Sequence, residues 1–135
     1  MKKSEAREIL FKAIYEIEIQ GDATEDHLDL FLVNNDVTDI STIDYVKKSI
    51  NTINEKKEEL ENIVSANLKK DWKLERIPKI NIALLKLAIY EIKYTDTPFK
   101  VVINEVVDLA KKYSDDSAPS FINGLLASIV PKEDK

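Results

Sequence analysis

Few side chains in this sequence are equipped for covalent or acid–base chemistry. There is no cysteine and a single histidine, His27, which excludes a thiolate nucleophile or ligand, a disulfide and any histidine-rich metal cluster. His27 stands among acids beside an apolar helix face, with nothing nearby to complete a triad, and reads as a half-exposed surface histidine. Paired carboxylates occur only as surface runs, Glu58 with Glu59 and Asp115 with Asp116, without an apolar pocket to drive their pKa values apart. Gly-rich phosphate loops, HExxH and GxSxG are all absent from the sequence. An enzyme is not expected, and no cofactor or metal is called for.

What remains is binding chemistry, and charge says where it could lie. The net charge is −5. Residues 1–21 sum to zero, residues 22–68 to −7, residues 69–114 to +4 and the remainder to −2. An acidic chain with one basic stretch is no general polyanion binder, yet a local basic surface can hold a short nucleic-acid segment. Composition alone leaves that open. The mixed-sign run EKKEELE reads as a solvated helix face rather than a site.

The elements that must position these groups are helices. Residues 78–94, PKINIALLKLAIYEIKY, leave almost no polar face and describe a central core helix. Lys79, Lys86 and Lys93 recur every seventh residue and form one stripe, expected to be its wet edge. Asn81 and Glu91 lie opposite and need hydrogen-bond partners; Glu91 is the most interesting carboxylate in the chain. A first helix is expected over 4–20, capped by Ser4 and followed by Gly21, with Ala6, Ile9, Leu10, Ala13, Ile14 and Ile17 inward. Phe11 and Tyr15 flank that stripe and either extend the core or line a groove. A short second helix carries Leu28, Phe31 and Leu32. A third starts at Ser41, a fourth covers 55–69 and Asn54 marks their joint.

KKDWKLERIP then forms a packed hinge, with Trp72 expected to plug the seam between two helical layers, a ligand-stacking role being the alternative. Pro78 and Pro98 suit first helical positions, Thr97 being the cap before Pro98. Helix six carries Val102, Ile103, Val106, Leu109, Ala110 and Tyr113. Helix seven runs from about Ser117 with Phe121, Ile122, Leu125, Leu126 and Ile129 inward and stops before Pro131. Gly124 at mid-helix suggests a close helix crossing or a bound strand.

At 135 residues one domain spanning 1–135 with one core is expected. Two glycines and four prolines disfavour a sandwich or barrel, so the class is all-α. No run of about twenty uncharged apolar residues and no apolar leader occur, so a soluble cytoplasmic protein without a membrane role is expected.

The order AREILFKAIYEIE, W-x-LERI, IALLKLAIYEI, TPFKVVINEVVDLAKKYS and SFINGLLASI resembles the NusB family over nearly the whole chain. The segments PFKVVINEVVDLAKKY and FINGLL are specific as a pair. The resemblance implies a compact all-α fold of seven helices in two sub-bundles and a non-enzymatic role. Such proteins pair with the ribosomal protein that doubles as NusE and hold single-stranded boxA RNA on an antiterminating RNA polymerase complex; some also form a homodimer.

Carried over by position, the resemblance assigns Lys2, Lys3 and Arg7 to RNA phosphates. It places Ser120 and Phe121 at the RNA-binding start of the last helix, and Tyr15 near the same face or in packing. Lys and Arg on phosphates with aromatics on bases is the chemistry that holds single-stranded RNA. Glu75 and Asn81 fall at the protein-partner surface, and Glu91 is assigned to structure, accepting from backbone N–H groups of a neighbouring helix end. Asn104 and Asn123 sit in family motifs, as functional groups or as side chains bonding backbone. The chain departs from the pattern where Glu5 interrupts a shorter set of bases, where Ser120 replaces a Lys and where Asn81 replaces an acid. Fewer phosphate contacts imply weaker, less salt-dependent RNA binding. A helical docking module with little RNA affinity is the runner-up. A methyltransferase fragment is a third reading, disfavoured by the lack of a Rossmann-like segment.

Overall fold

In the computed structural model, residues 2–21 and 24–133 are described, the last three as backbone only. Seven α-helices and no strand are found among them: α1 (Lys3–Gln20), α2 (Glu25–Asn34), α3 (Ile40–Glu55), α4 (Lys57–Ala66), α5 (Lys79–Tyr94), α6 (Phe99–Tyr113) and α7 (Ala118–Glu133). A short 3-10 turn, Leu74–Arg76, precedes α5.

Helix α5 is the axis. Every residue from Asn81 to Glu91 is buried, and Leu84, Leu85, Leu87 and Ile89 have no accessible surface. Each such side chain contributes about 1.5–3 kcal/mol of transfer free energy. α5 is shared by two helical groups, α1 with α3 and α4, and α6 with α7. Arg7 reaches Glu91 while Glu18 reaches Lys86, so α1 runs antiparallel to α5.

Helix boundaries follow from local hydrogen bonding. α1 is not capped by Ser4: Lys2 is the cap residue and its N–H donates to Glu5 Oε1 at 3.1 Å, half of a capping box. Gly21 ends the helix at φ 70°, the left-handed conformation that lets its N–H reach the Ile17 carbonyl. α3 starts one residue before Ser41, because Asp39 accepts from the Thr42 N–H at 3.1 Å and from the Thr42 and Ser41 hydroxyls. The α3–α4 joint falls at Lys56 rather than Asn54, and α4 ends at Ala66.

Pro78 and Pro98 occupy cap positions, one residue ahead of the first helical residue. Thr97 does not cap α6. Its N–H donates to Thr95 Oγ1, whose hydroxyl in turn donates to the Glu91 carbonyl at 2.7 Å and closes the last turn of α5. α7 continues through Pro131 to Glu133; a proline this near a helix end forfeits one hydrogen bond that the last turn can spare.

The lysine stripe of α5 is not a wet edge. Lys79 is exposed and Lys93 half-buried, but Lys86 is 2% exposed and donates to Glu61 Oε2 at 2.8 Å and to Glu18. Its charge is met by carboxylates from α1 and α4, which replace the water it loses.

Candidate nucleic-acid and partner interface

The start of α1 presents Lys2 and Lys3 to solvent. Lys3 is steadied from below: its ammonium lies 4.8 Å from the centroid of the Tyr45 ring on α3, a cation–π contact. Arg7, one turn further, does not join them. It is 2% exposed, and its guanidinium forks onto Glu91, with Nε donating to Oε2 at 2.6 Å and Nη2 to Oε1 at 3.0 Å. Nη1 donates to Glu105 on α6 at 3.0 Å. A buried cation bound by Glu91 inside the fold and by the partly exposed Glu105 is not available to a phosphate, so Arg7 leaves the RNA set. Glu91 correspondingly accepts from Arg7 rather than from backbone N–H groups. The bidentate geometry is the strongest a carboxylate can receive, and Glu91 raises the already high Arg7 pKa despite the opposing effect of burial. Beside the pair, the buried Tyr45 hydroxyl has no hydrogen-bond partner among the described residues. Burial and the Glu91 charge both push its ionisation upward, so it stays neutral.

Along the flank where α1 meets α6, buried and half-buried aromatic rings lie beside bases. Tyr15 stacks on Phe11 with centroids 6.2 Å apart, and Phe11 meets Tyr113 of α6 at 5.3 Å. Lys12 and Lys112 sit 5.7 and 5.3 Å from the Tyr113 ring. Glu8 accepts from Lys112 Nζ at 2.7 Å and from the Tyr113 hydroxyl. These two bonds, Lys112 first, hold its pKa below the ordinary carboxylate value against a small opposing cost of burial. Tyr15 is half-buried and both packs and shows an edge. Lys12, Lys112 and Tyr113 were absent from the sequence-derived set. The i, i+4 pair Phe11 and Tyr15 on the flank of the apolar stripe was the signal that another ring had to meet them.

At the start of α7, Asp115 accepts from the Ser117 hydroxyl and N–H and from the Ala118 N–H, all within 3.0 Å. These bonds lower its pKa and fix the entry of the helix. Ser120 is exposed and Phe121 half-buried. Trp72 does not plug a seam: it is 54% exposed and stacks on Phe121, centroids 5.8 Å apart at 23°. Gly124 admits no close crossing either, since a Cβ there would meet nothing within 4 Å. It opens one side of a groove of about 520 Å³ lined also by Lys69, Trp72, Ser120, Phe121 and Ser128.

Of the two expected partner residues, Glu75 is exposed on the 3-10 turn. Asn81 is 5% exposed, and its Oδ1 accepts from the Ser114 hydroxyl at 2.8 Å. Asn81 therefore ties the start of α5 to the α6–α7 corner and presents little to a partner. Asn104 and Asn123 are exposed, as is His27.

Residues 4–131 match the model of the NusB family. This chain belongs to that family. The transcription antitermination protein NusB of Clostridium novyi (strain NT) is 37% identical over 133 residues, covering 96% of this chain and 98% of that protein. A solved structure of T. maritima NusB superposes with a TM-score of 0.90 at 26% identity, over all of this chain and 94% of the other. A chain from a crystal structure of antitermination factors NusB and NusE in complex with dsRNA has a TM-score of 0.85 at 24% identity, over 98% of this chain and 99% of that one, a likeness of fold.

On this NusB framework two aromatic groups have lysines beside them: a half-buried one on the α1–α6 flank, and one where the hinge meets α7 that exposes Trp72. Lysines for phosphates and ring faces for bases are what a single strand requires. Among the described residues no group of three or more His, Cys, Asp or Glu could hold a metal, and no helix is long and apolar enough to cross a membrane.

Proposed function

We propose that this protein is a cytoplasmic, non-enzymatic transcription antitermination factor. It holds single-stranded boxA-type RNA together with the ribosomal protein acting as NusE, and so stabilises an antiterminating RNA polymerase complex. The observation that carries this is the match of residues 4–131 to the NusB family, with a relative of that name aligned over 96% of the chain. In this reading Lys2 and Lys3 contact phosphates, Tyr15, Ser120 and Phe121 line the RNA face, and Glu75 belongs to the NusE side. Lys12 and Lys112 join the phosphate set in place of Arg7. A homodimer covering this face would be the competing state of the free protein.

The test is binding of the full chain to a short boxA-type RNA across a salt series, with and without purified NusE. Affinity should rise with the partner, and log K should fall with log salt at about 0.7 per phosphate contact. Absence of RNA binding in both conditions, with the NusE complex still forming, would sink it in favour of a protein-docking module. The burial of Arg7 and a sequence pI near 5.0 favour that second function.

A further inference from the structure

The hinge is built to display an aromatic ring. Asp71 adopts φ 76°, a left-handed conformation that Asp tolerates better than most residues. The Trp72 N–H closes the turn onto the Lys69 carbonyl at 3.0 Å. The sharp bend sends the indole outward, where it is 54% exposed. Beneath it lies Phe121, which packs against the hydrophobic core, so Trp72 is the outer ring of a two-ring stack on a rigid base. The far wall of the groove is fixed too. Asn67 at the end of α4 donates to the Ile63 carbonyl and accepts from the Ser128 hydroxyl of α7 at 2.9 Å.

An exposed indole supported in this way has Lys69 beside it in the lining of the groove, and Lys70 and Lys73 follow in the same exposed hinge segment. Ser120 offers a hydroxyl, and Gly124 leaves room beside the rings. A protein anchor pocket would bury such a ring in apolar surroundings. A half-open ring on a lysine-bearing hinge instead matches a polyanion whose flat apolar groups alternate with its charges.

We propose that Trp72 is an RNA-stacking residue: an unpaired base stacks on its indole, the Lys69–Lys73 segment takes the adjoining phosphates, and the bound strand extends from the start of α7 onto the hinge. This deepens the function proposed above and rests on it. Trp72 thereby becomes a binding residue in its own right, distinct from the basic start of α1.

The chain contains a single tryptophan, so its fluorescence reports this site alone. The full-length protein is titrated with a boxA-type single-stranded RNA, with the same strand made abasic throughout, and with NusE alone. Stacking predicts quenching by the RNA and little by the abasic strand. Trp72→Ala should lower RNA affinity about 5- to 150-fold, while Trp72→Phe, which keeps a ring face, should retain most of it. With the ring already exposed, neither change should shift the melting temperature by more than a few degrees. Equal quenching by the abasic strand, or unchanged affinity in Trp72→Ala while RNA still binds in a salt-dependent way, would overturn the stacking role and leave the antitermination reading standing. A spectral change with NusE and none with RNA would assign the groove to the protein. No RNA binding by any variant, with or without NusE, would remove both.

Discussion

α5 carries one acid and one base into the core, and the two are handled differently. Glu91 meets a planar fork: Arg7 of α1 gives it two hydrogen bonds and spends a third on Glu105 of α6, with Arg7 and Glu91 side chains 3% and 1% exposed. Lys86 is equally buried, but its partners Glu18 and Glu61 are 16% and 28% exposed and line a cavity of about 260 Å³ with Gly21 and Lys57. The Arg7–Glu91 fork itself is dry and geometrically fixed, with only its third partner Glu105 reaching solvent at 31% exposed; both carboxylates that meet Lys86 are partly exposed. Losing a partner should therefore be worse in the first, where Glu91 has no access to water and Arg7 would keep only Glu105.

The sharpest way to break this contrast is to remove one half of the dry pair. Arg7→Ala or Glu91→Ala should cost about 3–5 kcal/mol in a denaturant melt, whereas Arg7→Met combined with Glu91→Leu should recover most of that. A double variant no more stable than the singles would mean that packing around the fork matters more than the stranded charge.

Lys86→Ala comes next, with an expected loss of about 2 kcal/mol because its glutamates can rehydrate. A loss equal to that of Arg7→Ala would erase the distinction between dry and wet clusters.

A smaller effect is expected from pH. The folded-state pKa of Glu8 is depressed by Lys112 and Tyr113. Its contribution, about 1 kcal/mol at the surface, is present above the ordinary carboxylate pKa and lost as pH falls through the folded value. Glu8→Gln should flatten the stability profile below about pH 4.5 and leave the two core clusters unchanged.

Smallest of all, Lys2→Ala with Lys3→Ala should move stability by less than about 0.5 kcal/mol. The same pair should reduce the salt slope of RNA binding, which separates the exposed bases of α1 from the buried one.

The contrast also shows why some of this structure was legible in the sequence and some was not. Seven apolar stripes with short breaks were enough to place the helices, because burying a stripe is a local property of spacing. Charge is not local in that sense. Arg7 stood beside Lys2 and Lys3 and looked like a third surface base, and Lys86 stood midway between Lys79 and Lys93 and looked like the middle of a wet stripe. The carboxylates that bury them come from other helices: Glu91 lies 84 residues from Arg7, and Glu18 lies 68 from Lys86. Trp72 failed in the opposite direction. Size and apolarity pointed inward, but the left-handed Asp71 turned the ring to the surface, and the sequence offers no glycine to mark that turn. At the candidate site the exposure of Lys2 and Lys3 followed from their place at the chain's start, while the meeting of Lys12, Lys112 and Tyr113 depended on how α1 lies across α6.

The reach of the Arg7 fork bears on the order in which the chain can be assembled. A ribosome making this protein releases α1 first, yet the counter-charges of its arginine, Glu91 and Glu105, are encoded 84 and 98 residues later. Until α5 and α6 have emerged, α1 carries an unmatched base and an apolar stripe that only α3 can cover in part. The native arrangement should therefore form as a late, collective event. Nascent chains arrested before α6 should be protease-sensitive throughout, and those arrested after α7 protected from α1 onward.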